Sequence, residues 1–477
     1  MGFREDLDHA VTDIRTWAVK RLFEEQDYYA ELKSGEQGPE IPPLGSFYRQ
    51  FFQVGYQELT VERFKSGGNN ITDYNDEWTA LEGSEVWAQQ FDSLSWVKDQ
   101  FAGYGKADLD KSLALRDAVK TVPPELLGER SWIEDNHKLK DLVGPTANPS
   151  QGTFADVLLD DGITEIGHWE GGTASAFETM FGTGGQHWRA VVQGDYYVSQ
   201  ALVGGVDALL GIGIAGRRDI LSIAKQTLEA LKKVPMSFDT KTGLAIVGTV
   251  ITTALSIASL GATSAIVGAA FAISSTLLSQ AEEAAKKDDD IAIDGPAVTT
   301  ILDSMSRGIR LLNTKIVEAE TTICQTLTDV YNGVLSQRDE YELGYGSGRL
   351  KSVTTENLGK RNTAGDMDDL ERAAKTAFPR AASRMATANA RLAATTDTQL
   401  GALDSDLSGS PSGVQPSWTA LRDLLQDMTR GNSRLVAATG EALLGYAKET
   451  TRADYSSAKR LYQSAELEES GRKHRPI

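Results

Sequence analysis

Few residue patterns in this chain have the types and spacing that cofactor chemistry requires. The clearest is GIGIAG at residues 211–216, which matches the G-x-G-x-x-G spacing of a dinucleotide-binding turn. That turn follows a β-strand, whereas the preceding residues, 195–210, have the pattern of a helix. We therefore expect a flexible break or close helix packing at 211–216 in place of a nucleotide site.

Metal binding and nucleophilic catalysis find equally little support. His168 and His187 each precede a Trp, but neither has a carboxylate four residues away on a helix. Cys324, the only cysteine, excludes an internal disulfide and a multi-cysteine metal site, and its helical spacing favours a core thiol. The acidic run 288–290 lacks the spacing of a calcium loop. We expect no cofactor, no metal and no enzymatic activity.

Composition bounds the class of protein and its partners. The chain has 477 residues, of which 40% are apolar, enough for a sizeable core. Its net charge of −19 disfavours nucleic acid as a partner, because phosphate binding needs a basic face. The first residues are charged and periodic and do not resemble a cleaved signal peptide. We expect either a cytoplasmic protein or one exported by a route that reads folded helices.

Residues 297–335 give the clearest helical pattern. Apolar side chains recur there at spacings of three and four over about five heptads. They are Val298, Leu302, Met305, Ile309, Leu312, Ile316, Ala319, Ile323, Leu327, Val330 and Val334. A helix of that length is about 60 Å long and must pack against others.

The C-terminal part predicts a second set of helices. Residues 366–477 divide at a Ser-, Gly- and Pro-rich turn, and Pro379 is expected to start or kink the first helix. The last helix keeps seven-residue spacing with polar residues at two positions of the same seam, Asn432 and Thr439. Its apolar seam residues are Trp418, Leu421, Leu425, Met428, Leu435 and Ala442.

An uncharged segment lies in the middle of the chain, at residues 242–281. Gly261 lies near its centre and leaves stretches of 17 residues (244–260) and 18 residues (262–279), each near the lower limit for a membrane-spanning helix. Small residues, including Gly248 and Gly268, would allow two helices to approach closely in lipid or in a protein core. The segment is compatible with a hairpin buried in the protein, with a hairpin that inserts into a membrane conditionally and with a constitutive membrane anchor. Its charged flanks favour a hairpin whose two ends lie on the same side.

The most informative stretch is GHWEGGTASAFETMF at residues 167–181. Two glycines permit a sharp reversal, and the small residues that follow permit close helix packing. Trp169 and Phe177 are eight residues apart, about two helical turns, so both can face one partner helix. This spacing is typical of a tight helix–turn–helix.

The stretch resembles the WXG family of helical hairpins exported by type VII (ESX) secretion. Trp169, Gly171, Ala174 and Phe177 match its turn and the positions that follow it. The resemblance implies export without a cleaved signal, pairing through the hairpin and dependence on a secretion ATPase. The C-terminal part is similar to ESX secretion-associated hairpins, and Tyr462 and Glu466 fit the family's Tyr-x-x-x-Asp/Glu export signal. The turn lies in mid-chain here, whereas family members usually carry it near the N-terminus, and the second turn has Thr419 and Ala420 after Trp418, without the glycine. A long chain with a central apolar hairpin looks more like the large ESX-associated proteins, some of which form rings.

These observations predict an all-α protein, an elongated multi-helix bundle with long antiparallel hairpins and a central apolar hairpin. The expected function is that of a secreted ESX-like substrate that self-assembles at the cell envelope or outside. The alternatives are an α-helical pore-forming toxin that inserts residues 243–279 and a non-secreted coiled-coil structural protein. Expected partners are the export machinery with its ATPase, a second copy or a hairpin partner, and conditionally a membrane. The predicted segments are 1–150, mostly helical with irregular loops; 151–235, the WXG-like hairpin; 236–296, the apolar hairpin; 297–345, the long helix; 346–365, a linker; and 366–477, the C-terminal hairpin with the export tail.

Overall fold

The computed structural model describes residues 2–25, 28–34, 50–54, 57–63, 89–104, 109–126, 155–165, 177, 181, 187–233, 293, 295–343, 367–395, 414–448, 460 and 463. The helices are α1 (Phe3–Glu25), α2 (Ser95–Phe101), α3 (Leu109–Lys120), α4 (Pro123–Leu126), α5 (Ala155–Glu165), α6 (His187–Lys233), α7 (Val298–Ser336), α8 (Arg338–Tyr341), α9 (Met367–Lys375), α10 (Ala377–Ala393) and α11 (Val414–Lys448). The strands are β1 (Tyr28–Ser34), β2 (Gln50–Val54) and β3 (Gln57–Arg63). The described structure is thus mainly helical, as the sequence predicts.

The two helices with the clearest seams bury them as expected. Helix α7 runs from Val298 to Ser336, close to the predicted 297–335, and all eleven of its predicted seam residues are buried. Every predicted seam residue of α11 is buried as well, including Asn432 and Thr439. A short break at Thr376 separates α9 from α10, and Pro379 lies in the first turn of α10, where its missing N–H removes no helical hydrogen bond. The heptad-like spacing therefore located both helices and the faces that they bury.

Helix α6 is the centre of the helical body. It contacts α1, α3, α4, α7, α8 and α11, and its backbone is helical from His187 to Lys233. Between residues 191 and 216 only Ile214 is exposed, at 57%. A helix that is apolar almost all round must be enclosed by other elements. The helices that contact α6 provide that enclosure.

Contacts between side chains give the direction of α11 relative to α6. The indole Nε1 of Trp418 donates to the carbonyl of Leu202 at 3.0 Å. Further along α11, the amide of Asn432 donates to the carboxylate of Asp195 at 2.8 Å. Because residue numbers rise on one helix as they fall on the other, α6 and α11 are antiparallel.

Helices α10 and α11 are antiparallel by the same argument. The side-chain amide of Asn389 lies 3.2 Å from the hydroxyl of Thr429, and the hydroxyl of Ser433 donates to the carbonyl of Ala382 at 2.8 Å. Helix α5 packs against α9 and α10, and α9 packs against α10 and α11. The helices that precede and follow residue 177, α5 and α6, thus both contact the C-terminal helices.

A small antiparallel sheet in the N-terminal region is the main departure from the predicted all-α class. Its strand order is β1-β3-β2, with Tyr28 opposite Arg63 and Gln50 opposite Val61, and β1 lies against α1. The sequence contains a signal for it. Two short runs that contain aromatic or β-branched residues, QFFQV and QELTVER, are separated by two residues, the first of which is a glycine.

We expect Trp418→Ala to lower the free energy of unfolding by about 3–5 kcal/mol, because it leaves a cavity beside α6 and removes the donor to Leu202. Urea unfolding followed by circular dichroism measures this loss. Val317→Ala, at a side chain that is 44% exposed on α7, is the control and should change the free energy by less than about 0.5 kcal/mol. A loss below about 1 kcal/mol for Trp418→Ala would contradict the central position of this side chain.

Candidate functional site

The structure describes one of the four residues that carry the WXG resemblance. Phe177 is buried. Trp169, Gly171 and Ala174 lie outside the described residues, so the turn between two antiparallel helices stays a prediction.

Phe177 belongs to an aromatic cluster that joins the motif segment to α10. Its ring stacks on that of Phe181, with centroids 5.1 Å apart and planes at 22°. Phe378 of α10 packs edge-on against both, at 5.8 Å from Phe177 and 5.6 Å from Phe181. Aromatic pairs of this geometry add about 0.5–1.5 kcal/mol beyond their buried area. The aromatic position of the motif therefore packs on the C-terminal helices.

Two glycines allow the backbones around Phe378 to come close. A Cβ on Gly162 of α5 would lie 2.8 Å from the Cβ of Ala377 and 3.1 Å from the Phe378 ring. A Cβ on Gly440 of α11 would lie 3.1 Å from the Cβ of Phe378. Separations this short leave no room for a larger residue without displacement of its neighbour. Phe378 is thus held between α5 and α11.

A buried polar cluster joins α6, α8 and α11. The Asn432 amide nitrogen donates to Asp195 at 2.8 Å and to the Tyr341 carbonyl at 3.2 Å, and its oxygen accepts from the Leu343 N–H at 2.9 Å. The side chains of Asp195 and Asn432 are fully buried. A polar group at such a seam fixes the register of the helices, because only one alignment satisfies its hydrogen bonds. The seven-residue spacing predicted that Asn432 is buried, but no local pattern identified its partner, Asp195.

Charged groups join the N-terminal helices to the same body. The buried carboxylate of Glu125 in α4 receives Arg384 at 2.8 Å and Arg391 at 2.7 Å, both from α10. Asp207 of α6 lies 3.2 Å from Lys120 of α3. Removal of one partner of a buried ion pair leaves an uncompensated charge, which destabilises strongly. These pairs therefore act as fixed attachment points.

The sequence patterns that could carry chemistry can be located in part in the structure. No group of three or more His, Cys, Asp or Glu side chains within the described ranges could hold a metal ion. The Cys324 sulfur is half-buried and lies 3.2 Å from the Ser417 hydroxyl. Residues 211–216 continue the helix of α6, so the expected flexible break is wrong. Gly213 and Gly216 are buried there, which agrees with the alternative of close packing, and tertiary burial overrides the low helix propensity of glycine.

One helix in the described part of the chain is long and apolar enough to cross a bilayer. It is the part of α6 from Val191 to Lys233, with a mean hydropathy of 1.6 in its most apolar window, of which 78% is buried within the protein. The core helix of a soluble protein has the same properties. The residues chosen for the central apolar hairpin, Gly248, Gly261 and Gly268, lie outside the described residues.

The predicted export signal lies beyond α11. Tyr462 and Glu466 are outside the described residues, whereas Gln463 between them is exposed. The Arg460 guanidinium lies near Gly445, where an added Cβ would be 3.1 Å from its Nη1. The chain at residue 460 is therefore beside the last turns of α11.

Burial perturbs two carboxylates on the α1 and α6 helices. Desolvation raises the pKa of Asp219, and the hydrogen bond from the Arg218 Nε, at 3.1 Å, opposes that rise. Desolvation also raises the pKa of Asp13, opposed by Lys232 and His9. The folded protein therefore binds protons at these groups more readily than the unfolded chain does. The stability that this contributes is present at low pH and is lost as the pH rises through the folded-state pKa.

We expect Asp219→Asn to stabilise the protein at pH 7 and to lose this advantage as the pH falls through the raised folded-state pKa of Asp219, because the wild-type carboxylate takes up a proton there. Urea unfolding of both proteins across this range measures the difference. Asp423→Asn is a matched control, since Asp423 also accepts from the preceding arginine but is exposed. Equal pH dependence for the two substitutions would show that burial of Asp219 is not the cause.

Comparison with known proteins gives no match: no family model, no curated protein and no solved structure matches this chain. The resemblance to WXG proteins is therefore carried by the residues at 169–177 and at the C-terminus.

Proposed function

We propose that this chain is a substrate of a type VII, ESX-like secretion system that acts as a self-assembling helical structural or effector protein at the cell envelope or outside the cell. The observation that carries the proposal is the packing of the motif segment on the C-terminal helices. Phe177 and Phe181 contact Phe378, and α6 pairs with α11. The two segments that resemble secretion-associated hairpins are thus in contact with each other.

This packing gives the proposal a specific form. The resemblance implies that small WXG proteins pair through the exposed faces of their hairpin helices. Here α5 and α6 bury their faces against α10 and α11 of the same chain. We infer that pairing occurs within the chain, so that export needs no second hairpin protein. Self-assembly would then use the outer surfaces of an elongated bundle.

The expected partner during export is the secretion ATPase, and the expected recognition element is the tail after α11. Gln463, the residue that follows Tyr462 in the Tyr-x-x-x-Glu pattern, is exposed. Arg460 lies close to α11, which supports a signal presented beside a folded helix and not on a distant linker. A receptor that reads folded helices requires that arrangement.

We expect Tyr462→Ala to abolish secretion while the purified protein keeps its circular dichroism spectrum and unfolding midpoint. Immunoblots of the culture supernatant and cell pellet measure export. Gln463→Ala is the matched control, because it changes an exposed neighbour within the same pattern and should be exported normally. Tyr104, the other tyrosine with an acidic residue four positions later, is unsuited as a control because its buried hydroxyl bonds to Asn313.

Normal amounts of the Tyr462→Ala protein in the supernatant would contradict the export role. Retention of the wild-type chain in the producing cell would instead favour a non-secreted coiled-coil structural protein. In this proposal residues 236–296 are the apolar hairpin and residues 346–365 are the linker, as the sequence predicts.

A second candidate function is that of an α-helical pore-forming toxin. The observation that favours it is the enclosed helix α6, which is long and apolar enough to span a bilayer and is followed in sequence by the uncharged residues 242–281. Burial of apolar surface gains about 25 cal/mol per Å² in a protein core or in lipid, so the two environments compete closely. The net charge of −19 opposes approach to anionic lipid at neutral pH.

We expect dye release from anionic liposomes to be low at pH 7 and to rise at pH 5, because protonation of carboxylates reduces repulsion from the lipid. Ala265→Asp places a charge in the apolar segment, and Gly261→Pro constrains its centre; each should reduce release if residues 243–279 enter the bilayer. Ala201→Asp, within α6, is the comparison for the other apolar helix. Absence of dye release at both pH values would exclude the pore-forming toxin and leave the secreted structural or effector protein as the proposed function.

A further inference from the structure

The end of α6 and the start of α7 meet the same turn of α1, although more than sixty residues of chain separate them. Arg21 donates through Nε to the carbonyl of Leu231 and through Nη2 to that of Lys232, both at 2.7 Å. One turn later, the Glu25 carboxylate accepts from the Val298 N–H at 2.7 Å. Residues 21 and 25 are about 6 Å apart along a helix.

The charges suit the two helix ends that they contact. A helix carries partial negative charge at its C-terminus and partial positive charge at its N-terminus. Arg21 places a cation on the last carbonyls of α6, and Glu25 places an anion on the first N–H of α7. Both interactions therefore satisfy backbone groups that have no partner within their own helix.

The local sequence of α7 leaves this role to α1. Its N-cap residue is Ala297, whose side chain has no acceptor for the N–H groups of the first turn. The Thr300 hydroxyl accepts from the Ala297 N–H at 3.1 Å, which satisfies a different group. Glu25 supplies an acceptor to Val298, whose N–H is one of the first-turn groups that have no partner within the helix.

The turn of α1 is itself held in place. Glu24 pairs with Arg21 and, at 2.8 Å, with Lys20, which fixes the direction of the Arg21 side chain. Phe23, which lies between Arg21 and Glu24 in the sequence, is fully buried and anchors the turn to the core. The contacts thus come from an ordered element.

We propose that Arg21 and Glu25 form a two-ended clamp that holds the end of α6 and the start of α7 at one base, independently of residues 234–297. A cut or a substitution within residues 234–297 therefore leaves the ends of both helices in place. The proposal is independent of how the protein is exported.

Amide hydrogen exchange on the full chain tests the clamp. A protease recognition site inserted between Lys287 and Asp288 allows residues 234–297 to be cut after folding. Exchange at the Val298 amide is then compared in the intact and cut proteins, each with and without Glu25→Ala. Arg21→Met tests the other end through the amides of residues 230–233, and Glu318→Ala, an exposed ion-paired glutamate of α7, is the control.

If the clamp holds the ends, cutting changes exchange at Val298 by less than about threefold, whereas Glu25→Ala raises it about tenfold in both forms, as expected for loss of a helix cap. Arg21→Met raises exchange at the end of α6, and Glu318→Ala changes neither end. A tenfold rise caused by cutting alone would show that the intervening chain holds the ends and would overturn the proposal. An unchanged Val298 amide in Glu25→Ala would do the same.

Discussion

Enclosure of α6 is the constraint on which the rest of the structure depends. From residue 191 to 216 this helix is apolar on nearly every side, and water would contact that surface unless other elements covered it. Each covering helix needs only one apolar face, which is why α7 and α11 show seams and α6 does not. The order of packing follows from this difference, with the all-round apolar helix inside and the amphipathic helices around it.

Apolar burial is non-directional and does not by itself fix how the helices align. Alignment comes from a few polar groups inside the body. Asn432 satisfies its amide in one register of α6, α8 and α11, and Glu125 receives two arginines of α10 in one position. Because an unsatisfied buried polar group is costly, these contacts exclude the alternative registers that apolar seams alone would tolerate.

The same body connects segments that lie far apart in the sequence. Phe177 and Phe378 share one aromatic cluster, so the segment that precedes α6 packs on the C-terminal helices. Arg21 and Glu25 bring the end of α6 and the start of α7 to one turn of α1.

The sequence by itself determined the mainly helical class, the position of α7, the buried seam of α11 and the burial of Asn432, because three- and four-residue spacing reports directly which face of a helix avoids water. It also held the signal for the β2–β3 pair, in two β-prone runs separated by two residues. Only the tertiary structure decided that 211–216 stays helical, since glycines are tolerated where neighbouring helices bury them. It alone paired Asn432 with Asp195 and Glu25 with Val298, because these contacts join residues more than two hundred positions apart and local periodicity carries no record of such distances.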